Sequence, residues 1–192
     1  MIYLTGAPAA GKSTVCNHLL QRSSTLKVFE YGREMLAHLA STGKGEAPSL
    51  DDLRRGTEEY VSQRDIDYVD QLLVQFTARW RSSYHLIIES HHVTNESYGF
   101  RIAPFSADKI RSLDITEIWI LFADARQTIS RVVADPSLRP KPTSYEADLH
   151  TALQASLAVT YAALGGVPLH LFRSGANIGS LVDQLEDRLY SK

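Results

Sequence analysis

Short apolar runs alternate with longer segments of helical periodicity along the whole chain. Several of these runs are continuous rather than alternating, as expected for strands that are covered on both faces. They occupy residues 2–4, 27–31, 85–89, 117–123 and 168–172. Because strands that alternate with helices form parallel sheets with right-handed crossovers, the pattern predicts an α/β fold with a five-stranded parallel sheet.

Seven segments between or after these runs carry the spacing of amphipathic helices. The predicted helices cover residues 12–22, 33–40, 50–79, 107–113, 125–134, 145–164 and 178–190. The sequence SLDD at residues 49–52, at the start of the longest predicted helix, has the form of a capping box with Asp in place of Glu. Two further segments, residues 41–49 and the proline-rich residues 135–144, interrupt the alternation and are interpreted as hinges or lids.

Composition excludes several classes of protein. The 192 residues are 44% hydrophobic and 22% charged, which is ordinary for one soluble globular domain spanning residues 1–192. A net charge of -2 gives no general attraction for nucleic acid or a membrane surface, and no apolar run reaches the ~18 residues of a membrane span. The single cysteine, Cys16, excludes an internal disulfide, fits a cytoplasmic protein and is interpreted as a buried apolar side chain.

The first apolar run leads directly into a complete P-loop pattern, Gly6-x-x-x-x-Gly11-Lys12-Ser13. The two glycines permit backbone torsions that turn consecutive amides towards an anion, at the positive end of the following helix. Lys12 is expected to reach the β- and γ-phosphates of a nucleoside triphosphate, and the Ser13 hydroxyl to bind Mg²⁺. The predicted phosphate-binding residues are Gly6, Ala9, Ala10, Gly11, Lys12, Ser13 and Thr14.

Three classes of protein use such a loop: switch GTPases, motor or remodelling ATPases, and small-molecule kinases. The chain contains neither the Asn-Lys-x-Asp sequence of guanine recognition nor an Asp-x-x-Gly switch. Its third apolar run ends in IIESHH, whereas motor ATPases usually have a strand that ends in Asp-Glu. A short chain with a P-loop at its start, a helical insertion and a basic lid fits a kinase best.

The chain resembles nucleoside monophosphate kinases, and most closely the archaeal-type adenylate kinases. The resemblance rests on LTGAPAAGKST, YGREM, IIESH, GFRIAP and YAALGG, which follow one another in this order from residue 4 to residue 166. It implies a three-layer P-loop kinase fold, with helices on both faces of the sheet. It also implies a helical acceptor-binding insertion at residues 31–80, a short lid at residues 135–144, ATP and Mg²⁺ as cofactors, and AMP as the expected acceptor.

The resemblance also implies roles for individual residues outside the P-loop. Gly32 would border the acceptor, and Glu89 would hold Mg²⁺ through a water molecule. His91 and Arg101 are candidate acceptor-binding residues, with Arg101 placed on a loop after the third strand. Since adjacent residues of an extended chain point to opposite sides, His91 and His92 are poor joint metal ligands, and His92 is expected to be structural.

Phosphoryl transfer between two anionic substrates also requires cations from outside the P-loop. Arg131 at the end of the fifth predicted helix and Arg139 in the proline-rich loop are predicted to stabilise the charge that spreads in the transition state. Lys141 in the same loop is predicted to contact the nucleotide. Weaker candidates are Arg33, Arg54 and Arg55. The predicted helix at residues 145–164 lacks the arginine that the resemblance leads one to expect, which leaves the identity of the acceptor open.

Two alternatives remain at this point. A kinase that acts on a hydroxyl group needs a carboxylate to accept the hydroxyl proton, and Glu30 or Glu89 could serve. A regulatory or assembly ATPase would instead hydrolyse ATP slowly and bind a protein or RNA. The expected partners are ATP and a nucleoside monophosphate, while base specificity and the oligomeric state are left open.

Overall fold

The architecture comes from a computed structural model that describes residues 1–42, 57–135, 140–175 and 177–191. Its seven described strands are β1 (Ile2–Thr5), β2 (Leu26–Glu30), β3 (His85–Glu89), β4 (Val93–Glu96), β5 (Gly99–Ile102), β6 (Glu117–Phe122) and β7 (Leu169–Arg173). Its described helices are α1 (Lys12–Arg22), α2 (Tyr31–Ser41), α3 (Thr57–Tyr60), α4 (Gln63–Trp80), α5 (Ala107–Leu113), α6 (Ala125–Ala134), α7 (Ser144–Gly165) and α8 (Ile178–Tyr190). Among these residues, no helix is both long and apolar enough to cross a membrane.

Five of the strands form one parallel sheet in the order β2-β3-β1-β6-β7. The strand that carries the P-loop, β1, therefore lies at the centre of the sheet, with Leu4 paired to Glu89 on one side and to Trp119 on the other. In open α/β sheets of this kind, ligands bind beyond the carboxyl ends of the strands, where the strand order reverses. The sheet thus places the P-loop at the position where this fold binds its ligands.

Two hydrophobic cores cover the two faces of the sheet, which confirms the predicted three-layer arrangement. Tyr3 and Ile88 face a core that includes residues of α2, α4, α5 and α7. Leu4 and Ile87 face the opposite core, built with residues of α1 and α8, which also encloses the buried Cys16. Neighbouring residues of one strand enter opposite cores because side chains alternate along a strand, and this explains the continuous apolar runs.

The structure corrects two sequence-based expectations about local structure. Residues 99–102, expected to lie in a loop, form strand β5 of an antiparallel hairpin in which Arg101 pairs with Thr94. The long helix predicted over residues 50–79 is not continuous, because α3 ends at Tyr60 and α4 starts after Ser62. Ser62 and Asp65 form a reciprocal capping box that starts α4, whereas the SLDD sequence lies outside the described residues.

Candidate functional site

The P-loop between β1 and α1 has the backbone geometry expected of an anion cradle. Gly6 and Gly11 have φ angles of 151° and 90°, and Ala9, with φ of 59°, is one of the two non-glycine residues with positive φ in the described chain. A Cβ atom at Gly6 would lie 2.2 Å from the carbonyl oxygen of Leu121 in β6, so the close approach of the two backbones requires glycine there. The first amides of α1 begin directly after Gly11, where a helix N-terminus favours negative charge.

Lys12 is buried and engaged by its own loop. Its ammonium group donates hydrogen bonds to the carbonyl oxygens of Gly6 and Ala7, at 2.7 and 3.2 Å. The same group lies 3.9 Å from the nearer carboxylate oxygen of Glu89. The cation is therefore held at the mouth of the loop, within reach of an anion that enters the cradle.

The P-loop borders a cavity of about 400 Å³. Glu30 and Glu89 both line this cavity, since they are paired in register at the carboxyl ends of β2 and β3. Burial raises the pKa of Glu89, the positive charge of Lys12 opposes this shift, and Glu30 adds to it. Glu30 in turn forms an ion pair of 2.9 Å with Arg33, which lines the same cavity.

The oxygen atoms around this cavity fit a magnesium ion. The hydroxyl of Ser13 and the carboxylates of Glu30 and Glu89 line one space, next to the positions that phosphates would take on the loop amides. Mg²⁺ prefers oxygen ligands and usually combines one or two protein groups with phosphate oxygens and water. Ser13 as a direct ligand and Glu89 acting through water are compatible with this arrangement.

A second pocket, of about 130 Å³, adjoins the first cavity, and Gly32 and His91 line both. Apolar or aromatic side chains of the helical insertion form one wall, namely Tyr31, Met35, Val61 and Ile66. Arg101 and Thr94, which are paired across the hairpin, also line this pocket. The hairpin missed by sequence analysis thus supplies a wall of the pocket and places Arg101 there.

The two adjacent histidines have different environments. His92 is buried among the rings of Tyr3, Tyr31, Phe105 and Tyr161, and burial lowers its pKa to about 4. It is a neutral core residue at physiological pH, although one face borders the second pocket. His91 is exposed and lines both spaces, at their junction.

A third space of about 90 Å³ lies between Pro8 of the P-loop, the hairpin and α7, and it shares His91 with the first two spaces. It is lined by His150, which sequence analysis did not single out. The His150 ring donates a hydrogen bond of 2.9 Å from Nε2 to the carbonyl oxygen of Val93, and burial lowers the pKa of His150 to about 4. His150 shares the buried face of α7 with Ala147, Gln154 and Ala158, and the sequence pattern alone does not separate such a histidine from a core residue.

The cations expected outside the P-loop lie in different parts of the chain, and the structure describes only some of them. Arg139, together with Arg54 and Arg55, lies outside the described residues. Lys141 is exposed, between two prolines that border the third space. Arg131 lies between the P-loop and the turn after β7, where its terminal nitrogens donate to oxygens of Ala9 and of residues 174–175. The structure therefore brings the P-loop, Glu89, Gly32, His91 and Arg101 around two joined cavities.

Comparisons with known proteins agree with this architecture. A family profile described as "AAA domain" matches residues 5–149. No curated protein matches the chain in sequence. In structure, the chain is similar to shikimate kinase from Acinetobacter baumannii in complex with shikimate, with a TM-score of 0.61 and 15% identity over 99% of this chain and 92% of that one. It is also similar to a provisionally assigned kinase from Chloroflexus aurantiacus, with a TM-score of 0.58 and 17% identity over 97% and 96% of the two chains.

Proposed function

Since this chain belongs to the AAA domain family of P-loop proteins, we propose that it binds Mg-ATP and transfers the γ-phosphoryl group to a nucleoside monophosphate, with AMP as the first candidate. The observation that carries this proposal is the apolar pocket that opens into the P-loop cavity and contains an arginine. An apolar wall with an aromatic ring suits a planar base. Arg101 offers the planar fork of donors that suits a phosphate group.

The P-loop residues hold the triphosphate in this proposal. The amides of residues 9–14 and the ammonium group of Lys12 bind its oxygens, and Lys12 exchanges its contacts with Gly6 and Ala7 for the β- and γ-phosphates. The Ser13 hydroxyl would hold Mg²⁺ directly, and the Glu89 carboxylate would hold it through a water molecule. Bound Mg²⁺ supplies the charge that neutralises the β- and γ-phosphate oxygens.

The acceptor lies in the second pocket, with its phosphate directed towards the P-loop cavity. Gly32 and His91 stand at the junction, and an oxygen of the acceptor phosphate attacks the γ-phosphorus while the bond to the β–γ bridging oxygen breaks. A monophosphate oxygen is already ionised near neutral pH, so no side chain has to remove a proton. Arg139 and Lys141 of the lid are proposed to add positive charge on closure.

One observation favours a second candidate, a kinase that phosphorylates a hydroxyl group. Glu30 and Glu89 are paired in register and line the P-loop cavity, and a hydroxyl acceptor needs such a carboxylate as a base. The chain is similar in fold to a kinase bound to shikimate, a hydroxyl compound, and this similarity is compatible with the second reaction. At 15% sequence identity, the similarity concerns the fold and not the substrate. Glu30 is also engaged by Arg33 at 2.9 Å. We place the first candidate ahead because the second pocket combines an apolar wall with Arg101.

A panel of acceptors separates these activities. We expect rapid, Mg²⁺-dependent formation of ADP from ATP with a nucleoside monophosphate, and the matching appearance of a nucleoside diphosphate by chromatography. A phosphorylated nucleoside or hydroxy acid in place of the diphosphate would favour the second candidate. Slow ADP formation that is the same with every acceptor would indicate a regulatory or assembly ATPase and would refute the proposed transfer.

Gly32 offers a direct test of the acceptor pocket. It lies in the first turn of α2, and a Cβ atom added there would meet no atom within 4 Å. We expect Gly32→Ala to leave stability unchanged or to raise it by up to about 1 kcal/mol, because alanine is the better helix former. The same change narrows the junction of the two cavities, so KM for the acceptor is expected to rise about tenfold with KM for ATP nearly unchanged.

The control for this experiment is Gly165→Ala at the end of α7. Gly165 is also helical, and a Cβ atom there would make ordinary contact with Val167 at 3.5 Å, away from both cavities. Steady-state kinetics and urea denaturation of the two variants give the comparison. An unchanged acceptor KM in Gly32→Ala would remove the acceptor from this pocket.

A further inference from the structure

The contacts of Arg131 differ from those of an arginine whose N–H groups are available to bind a phosphate. One terminal nitrogen, Nη1, donates to the carbonyl oxygen of Ala9 and to the Ser174 hydroxyl, both at 3.0 Å. The other, Nη2, donates to the carbonyl oxygens of Ser174 and Gly175, at 2.9 and 3.2 Å. The two terminal nitrogens of an arginine carry four N–H groups, and four oxygen atoms accept them here.

The contact on the P-loop side falls on a residue with an unfavourable backbone conformation. Ala9 has a φ angle of 59°, in the left-handed region that a residue with a Cβ atom rarely adopts. Such conformations persist where the surrounding structure holds them, and they concentrate at binding sites. The hydrogen bond from Arg131 to the Ala9 carbonyl oxygen holds this residue directly.

The contact on the other side falls on a turn that is itself fixed to the sheet. Ser174 follows β7 and is buried, with 1% of its surface exposed. Its amide donates to the carbonyl oxygen of Phe122 at 2.7 Å, and its hydroxyl also lies 3.2 Å from that oxygen. Arg131 therefore joins the middle of the P-loop to a rigid point at the end of β6 and β7.

We propose that Arg131 is a positioning residue that fixes the shape of the phosphate cradle, rather than a ligand of the transferred phosphoryl group. Its guanidinium group holds Ala9 in the left-handed conformation and thereby directs the following amides inward before a nucleotide arrives. This inference rests on the proposed nucleotide-binding role of the P-loop. It replaces the transition-state role expected for Arg131 from the sequence with a structural role in the same site.

The two roles predict different effects of Arg131→Lys. Lysine keeps the positive charge but cannot span four acceptors, because its ammonium group is compact and lacks the planar fork. If Arg131 acts through its charge on a phosphate, Arg131→Lys retains much of the activity that Arg131→Ala loses. If Arg131 acts through the four hydrogen bonds of its planar guanidinium group, Arg131→Lys and Arg131→Ala lose activity to the same extent.

We expect Arg131→Lys and Arg131→Ala each to reduce the calorimetric affinity for ATP and for inorganic tripolyphosphate about tenfold. Their kcat at saturating ATP is expected to change less than about threefold. Ser174→Ala removes the hydroxyl that accepts one of the four Arg131 hydrogen bonds, and it is expected to weaken ATP and tripolyphosphate binding to a smaller extent. The double variant Arg131→Lys with Ser174→Ala is expected to lose little more affinity than Arg131→Lys alone, because both changes disrupt the same set of hydrogen bonds. The matched control is Arg126→Lys, an exposed position on the same helix, with wild-type affinity expected.

Hydrogen exchange gives a readout that does not depend on nucleotide. The amides of Ala10 and Ser174 are bonded to the carbonyl oxygens of Ala7 and Phe122, and both are expected to exchange faster in Arg131→Lys but not in Arg126→Lys. Wild-type exchange together with wild-type affinity in Arg131→Lys would overturn the positioning role. A wild-type protein that binds neither ATP nor tripolyphosphate would instead refute the proposed function, and the exchange rates would still decide the role of Arg131.

Discussion

Lys12→Ala is expected to reduce the affinity for ATP by roughly 100-fold or more, which corresponds to about 3 kcal/mol. The side chain is buried at the mouth of the loop, and no other cation lies in the P-loop sequence between Gly6 and Thr14. In the variant, the backbone amides can still contact phosphate oxygens, but the charge-assisted hydrogen bonds are lost. Isothermal titration with ATP, in the presence and absence of Mg²⁺, measures the change.

The fold of this variant is expected to survive. Glu89 loses the nearby cation, and because burial already raises its pKa, it can remain in place as the neutral acid. Lys27→Ala serves as the control, since the Lys27 ammonium group lies 4.6 Å from the Trp80 ring, outside the cavity lining. Undiminished ATP affinity in Lys12→Ala, with normal melting of both variants, would contradict phosphate binding by this loop.

Glu89→Gln is expected to lower the apparent affinity for Mg²⁺ by about tenfold while kcat recovers largely at saturating Mg²⁺ and ATP. The amide keeps the shape of the side chain but removes the negative charge that holds water on the metal. A monophosphate acceptor needs no general base, so the chemical step does not depend on this carboxylate once the metal is bound. Initial rates are measured across a range of Mg²⁺ concentrations, with free and bound metal calculated. They separate a change in the apparent affinity for Mg²⁺ from a change in kcat.

Glu30→Gln is the companion to this experiment. Glu30 lies in the same cavity and is paired in register with Glu89, but it forms an ion pair with Arg33. Under the proposed transfer to a monophosphate, this variant keeps most of its kcat. A loss of kcat by 100-fold or more in either variant, persisting at saturating Mg²⁺ and ATP, would identify that carboxylate as a general base and favour a hydroxyl acceptor.

The frame of the fold was predictable because its signals are local. Residues 12–22, 107–113, 125–134 and 178–190 were predicted as helices with the bounds that the structure gives them. Their apolar stripes face a sheet that is covered on both faces, so several of its strands, such as β1 and β6, appear in the sequence as continuous apolar runs. The P-loop was predictable for the same reason, since its glycines and lysine lie within seven consecutive residues, from Gly6 to Lys12.

The features that were missed have weak local signals or depend on contacts between distant parts of the chain. Hairpin β4–β5 has only four residues in each strand, and its apolar positions are too few for an alternating pattern to stand out. The start of α4 at Ser62 could have been read from its capping residues, but the apolar stripe favoured one long helix. The partners of Arg131 lie 122 and 43 or 44 positions away in sequence, and backbone oxygens among them leave no trace in residue types.

The contacts between Lys12 and its own loop also affect the thermodynamics of ligand association. The ammonium group already has two carbonyl partners, so an arriving polyphosphate substitutes for existing interactions instead of adding to them. The heat released is then only a difference between two sets of contacts, each with its own hydration. Much of the favourable entropy on association therefore comes from water and counterions that leave the polyanion, and affinity measured at low ionic strength exceeds that in a cell.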